Sequence, residues 1–135
     1  MADLALVSSG KVRVVESVIQ MTLVAAETIT AGEAVRIDTA GKFTGSNGTT
    51  TTENRIYGIA KVSVAAGRPV TAIRKGVLDG FDVSGMAYDA IVYLSDTDGT
   101  LATSAGTVST IVGRVIPANS PVLGTSPDKL LFVDL

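Results

Sequence analysis

From Ile56 to Val83 the chain reads IYGIAKVSVAAGRPVTAIRKGVLDGFDV, and through much of it Val, Ile and Leu alternate with Lys, Arg, Ser and Thr. Successive side chains of a strand point to opposite faces, so a period of two predicts half-buried strands. Three are expected here: Ile56–Val64, Pro69–Arg74 and Gly76–Val83. Ala66-Gly67-Arg68-Pro69 is the turn into the second, Lys75-Gly76 separates it from the third, and Asp79-Gly80 is a strong turn or bulge signal. Upstream, Ser17–Ala25 (SVIQMTLVA) predicts a strand, although Ala-rich Leu23–Ile29 also allows a helical turn. Thr30–Glu33 reads as a turn, Ala34–Asp38 as a strand, Ala40-Gly41 as a second turn and Phe43 as the start of the next run. Downstream, Ala90–Leu94 is nearly all apolar, as expected of a strand buried on both faces. Asp96–Thr100 is a turn, Leu101 resumes a short strand, and Ile111–Ile116 is the next. Pro117, Pro121, Gly124 and Pro127 mark an irregular crossing before a closing strand, Lys129–Leu135. Turn signals recurring at about 8–12 residues predict a small all-β fold of short strands.

Two stretches fall outside that rhythm. Gly45–Asn54 (GSNGTTTTEN) has no apolar face to bury and is expected to be an exposed, mobile loop. Its four Thr occur once and without a repeat period, so they do not make a hydroxyl-lined β surface. Met1–Glu16 offers a short apolar patch, Leu4, Ala5, Leu6 and Val7, broken by Ser8-Ser9-Gly10. It reads either as a frayed end with one edge strand or as an extended arm that orders on a partner by strand addition. The division expected is therefore an N-terminal arm, 1–16, and a β-rich domain, 17–135. Deleting Met1–Gly10 should leave the domain folded, whereas removing Leu130–Leu135 should prevent soluble expression.

Composition narrows the chemistry. A chain of 135 residues is one domain, long enough to bury about 65–70% of the surface its unfolded form exposes. Hydrophobic residues make up 46% and aromatics only 4%, so Val, Ile, Leu and Ala must do the packing. Net charge is −2, and no Lys/Arg run exists to neutralise phosphates, which argues against nucleic acid as a partner. No run of 18 apolar residues is present for a membrane span. The N-terminus lacks the basic region of a signal peptide. With no His and no Cys there is no disulfide, thiol nucleophile, imidazole base or zinc site of the usual kind.

What chemistry remains is thin. Asp96-x-Asp98-Gly99 has Gly at the fourth position and Thr107 at the twelfth, where a calcium loop needs Gly at the sixth and Glu at the twelfth. Asp-Gly as a turn explains it. Phosphate-cradling glycine motifs are absent. Without His a serine nucleophile would need a Lys base; Lys42, Lys61 and Lys75 form no Ser-x-x-Lys pairing, and Ser8-x-x-Lys11 and Ser126-x-x-Lys129 lack the Ser-Asp-Asn and Lys-Thr-Gly companions that such a site needs. No catalytic, cofactor-binding or metal-binding residue is assigned, and the chain is not expected to be an enzyme. Lys61, Arg68, Arg74, Lys75 and Arg36 read as a solvated strand face. Alternatively Arg68, Arg74 and Lys75 rim an interface with an acidic surface, steering docking more than adding affinity.

The order of segments carries one further inference. ITAGEAVRID is followed by IYGIAKVSVAAGRPVTAIRKGVLDGF, then by AYDAIVYLSDTDGTLAT, IVGRVI and LLFVDL. Over Ser17–Leu135 this succession resembles the small capsid cement, or head decoration, proteins of tailed bacteriophages. The resemblance implies a β-barrel or sandwich-like domain that binds the exterior of an expanded shell and reinforces it. It often does so as a homotrimer at local three-fold positions. It implies the major capsid protein as partner, the virion as final location after folding in the host cytoplasm, and no cofactor. Leu4, Leu6 and Val7 of the arm, with Arg68, Arg74 and Lys75, are then the candidate capsid or protomer contacts. The alternative is a β-sandwich adhesion or carbohydrate-binding accessory of a phage head or tail fibre. Only three Tyr and three Phe are available for its platforms.

Overall fold

The computed structural model describes residues 2–117 and 129–135. Its strands are β1 (Asp3–Leu4), β2 (Arg13–Val24), β3 (Ala34–Ile37), β4 (Phe43–Gly45), β5 (Ile56–Ala60), β6 (Pro69–Asp79), β7 (Ile91–Leu94), β8 (Leu101–Ala102), β9 (Ile111–Pro117) and β10 (Lys129–Asp134). One 3-10 turn, Ser9–Lys11, precedes β2. The strands join in a single antiparallel sheet, ordered β1-β8-β7-β9-β10-β6-β5-β3-β4, with β2 also pairing with β6. The chain is all-β, as its periodicity predicts.

The sheet curls. Ala25, one residue past β2, forms a parallel bridge to Phe43 of β4. That contact closes β2, β6, β5, β3 and β4 around a small core of Ala25, Ile29, Val35, Phe43, Ala60, Val70 and Ala72. The larger core lies under β7 to β10 and the adjoining half of β6, where Leu78, Val92, Leu94, Val112, Val115, Leu131 and Val133 are fully buried. Both cores are built almost wholly of aliphatic side chains, which suits closely spaced β layers.

Several elements differ from the sequence expectation, each for a physical reason. Pro69–Arg74 and Gly76–Val83 are not two strands: β6 runs unbroken from Pro69 to Asp79. Gly76 is needed there because a Cβ would collide with the Glu16 carbonyl of β2, so this glycine marks a close approach and not a turn. Ile56–Val64 stops being a strand at Ala60, and Val64 returns only as a single bridge to Ile29. Leu23–Ile29 contains no helical turn; β2 reaches Val24 and the chain then bends. β7 is not buried on both faces. Val92 and Leu94 face the core, Ile91 is exposed and Tyr93 half-buried, because a curled sheet encloses one face only.

Gly45–Asn54 is only partly an exposed loop. Ser46 is fully buried, its hydroxyl donating to the Glu53 carbonyl at 2.6 Å. Backbone bonds from Gly48 to Ser95 (2.7 Å), from Gly99 to Ser46 (2.8 Å) and from Val108 to Gly48 (2.7 Å) pin it to the neighbouring loop, leaving Thr49–Thr52 in solvent.

The N-terminal segment joins the same sheet. β2 runs straight through the expected division at residue 16. Ahead of it, β1 pairs with β8, Leu6 bridges to Phe81, and Leu4 and Val12 are buried in the larger core. At the other end β10 lies between β9 and β6. Of the expected crossing, Pro117 ends β9 opposite Lys129, while Pro121, Gly124 and Pro127 lie outside the described residues.

Candidate docking surface

β2 is the exception to an otherwise economical fold. Twelve residues at about 3.3 Å each make a strand roughly 40 Å long. One edge pairs with β6 from Arg13↔Asp79 to Val24↔Pro69. Among the described residues, no strand takes up its other edge until Ala25 meets β4. Val14 and Leu23, near its two ends, pack against the two cores, and the stretch between them stands in solvent on both faces. Val15 (57% exposed), Val18 (59%), Ile19, Met21 and Val24 are all exposed.

Register explains which side chains protrude most. Val14 and Glu16 pair with Leu78 and Val77, and Ser17 and Ile19 with Gly76 and Lys75, so Val15 and Val18 are each an extra residue in a bulge. A bulge leaves its residue unpaired and re-aims the side chain. Beyond Gln20 the register is regular, with Thr22 and Thr71 hydroxyls 2.7 Å apart across the pair. Charge is confined to the N-terminal end: Arg13, which meets Asp79 at 3.4 Å, and Glu16. From Ser17 to Val24 the strand is neutral.

The residues expected to make contacts are dispersed. Leu4 lies in the larger core and Leu6 is half-buried over Gly32, so only Val7, 57% exposed, is available at the surface. Arg74 lies 5.3 Å from the Tyr57 ring centroid and donates to the Tyr57 carbonyl at 3.4 Å, a cation–π arrangement within the chain. Lys75 meets Asp134 at 3.8 Å, an exposed pair of little energetic weight. Arg68 is exposed in the turn before β6, six residues and about 20 Å from Arg74. These three do not form one basic rim. Arg36 is largely buried against Glu53 at 3.5 Å, and Lys61 is exposed. β2, the principal exposed surface, was legible only as an ordinary strand. Its signal was apolar residues in both parities, Val18 as well as Ile19 and Met21.

The acidic groups serve the loops. Asp96 accepts from the Thr107 backbone N–H (2.9 Å) and hydroxyl (2.7 Å), and these bonds, the backbone one foremost, hold its carboxyl below the usual range. Asp98 accepts from Asn47 at 3.1 Å. Asp3 accepts from Ser95 and Thr97, tying β1 to the same turn. Among the described residues no group of three or more acids is placed to hold a metal ion. A cavity of about 340 Å³ opens where the N-terminal segment meets the Thr30–Glu33 turn, with Leu4, Leu6, Phe81, Leu101, Glu33 and Asp98 in its walls. Burial pushes the Glu33 carboxyl up, the nearby charges of Glu27 and Asp98 push it further, and a hydrogen bond to the Thr30 backbone opposes them.

Comparison with protein-family models, with curated proteins and with solved structures returns no match.

Proposed function

We propose that this protein is a non-enzymatic structural component of a phage virion that binds the exterior of the expanded capsid and stabilises it. Trimers at three-fold positions are the arrangement implied by its resemblance to cement proteins. The observation that supports a binding role most directly is β2. A long, mostly neutral strand with five large apolar side chains in solvent is a liability unless another protein covers it. Rigid antiparallel layers and small side chains suit a clasp, and many copies gripping one shell gain through multivalency. The sugar-binding alternative draws less support, because its platforms need exposed rings. Phe43 and Phe81 are buried, Tyr57, Tyr93 and Phe132 half-buried, and Tyr88 is 43% exposed.

Co-sedimentation of the purified chain with undecorated, expanded heads of the phage that encodes it tests the proposal, with unexpanded heads as control. Saturable pelleting with expanded heads alone is expected. Absence of pelleting with either form would end the capsid reading.

A further inference from the structure

We propose that β2 is a self-association edge: two copies of the chain pair antiparallel through the outer edges of Arg13–Val24, about a two-fold axis near Val18 and Ile19. This inference draws on the same exposed strand that supports the capsid reading and concerns how that strand is covered in the free protein.

The argument begins with which edges remain open. Among the described residues the sheet's other free edge belongs to β1, of two residues, since Ala25 and Ala26 already meet Phe43 of β4. A second copy therefore offers β2 only one edge of comparable length, which is β2 itself. Identical edges meeting by the same surface are isologous, and strand pairing then demands a two-fold axis. A three-fold contact cannot satisfy them.

Charge selects the direction. A parallel, in-register pair would stack Arg13 on Arg13 and Glu16 on Glu16, which is repulsive. With Val15 and Val18 set aside as the bulged residues, the antiparallel pair centred on Ile19 sets Arg13 against Leu23 and Glu16 against Met21, so no like charges meet. The bulges at Val15 and Val18 twist the ribbon, which limits open-ended stacking of further strands and favours a closed pair.

Area sets the strength. The five exposed side chains present roughly 400 Å² of apolar surface per copy, of which edge-to-edge pairing covers only the flanks, so a pair falls in the weak, reversible class below about 1,200 Å². Dissociation in the micromolar range is expected.

Sedimentation of the full chain over a concentration series tests this, alongside Val18→Lys and Met21→Lys. Both positions are exposed, so the fold should persist and a thermal melt checks that it does. The parent should pass from monomer to dimer with concentration, or from trimer to hexamer if a three-fold contact also forms. Each lysine variant should halve the limiting mass. Because the chain has no cysteine, single replacements Ser17→Cys, Ile19→Cys and Met21→Cys, with Ser104→Cys as control, give a second readout. Oxidation should yield a disulfide-linked dimer most efficiently at Ile19, falling away on either side and absent at Ser104. Three results would each overturn the proposal: a mass independent of concentration, a mass unchanged by lysine on β2, or cross-linking no better on β2 than at Ser104. Loss of shell binding in the lysine variants with an unchanged free mass would assign the strand to the shell instead.

Discussion

Glu33 shows how a single side chain can be held at a cost by the fold around it. Its carboxyl is pushed above the ordinary value of 4.5, chiefly by burial, with Glu27 and Asp98 adding repulsion. A folded-state value raised in this way means the neutral form favours the native state. That contribution is fully present below the ordinary glutamate value and is lost as pH rises through the folded one. Glu33→Gln keeps the shape without the charge. It is expected to melt a few degrees above the parent at pH 7, with the gap closing below pH 4.5. A gap that does not change with pH would show that the charge is not the cause. Individual glycines carried less information. Gly76 reads as punctuation, yet it marks the place where the Glu16 carbonyl presses on β6, and Gly113 likewise lies under the Phe132 carbonyl. Turn and close approach both call for the missing Cβ, and only the neighbour across the sheet tells them apart.

At the scale of elements, period-two alternation made most strands readable because one face of each is buried; β3, β5 and β10 lie within the expected runs, and β9 overruns its own by one residue, Pro117. The N-terminal segment was harder, since four apolar residues do not say whose core they join. Leu4 belongs to this chain's own core, at 5% exposed, and its backbone pairs with Leu101 of β8. Removing Met1–Gly10 should therefore cost stability and not merely contacts with a partner. Leu4→Ala alone is expected to lower unfolding free energy by about 2–4 kcal/mol, the usual range for a buried leucine, measured by urea denaturation. A loss below about 0.5 kcal/mol would place that segment outside the cooperative unit. β2 defeated sequence reading for the opposite reason. Apolar residues on both parities ordinarily mean burial on both faces, and what would cover them is not encoded in the strand itself.

Across the whole molecule, three strands line both cores: β3 through Ala34 and Val35, β5 through Ile59 and Ala60, and β6 through Ile73 and Ala72. β6 takes β2 along one edge and both β5 and β10 along the other, so it links the ring around Phe43 to the larger core beneath β7–β10. The basic residues that looked like one patch in sequence are spread around this strand, at its turn, over Tyr57 and beside Asp134. A charge cluster in one dimension need not survive folding when neighbouring positions point to opposite faces. The surface that the sheet leaves uncovered along β2 is apolar.

The placement of β10 between β9 and β6 also bears on how the molecule is made. While a ribosome is still adding residues, the strip that Lys129–Asp134 will fill stays open, with Leu78 and Val115 wet and β2 already hanging free. Nascent chains stalled with that segment inside the exit tunnel should be cut readily by added protease. The same chains released by about 40 further linker residues should resist it, since most domains fold as units once all of their strands have emerged.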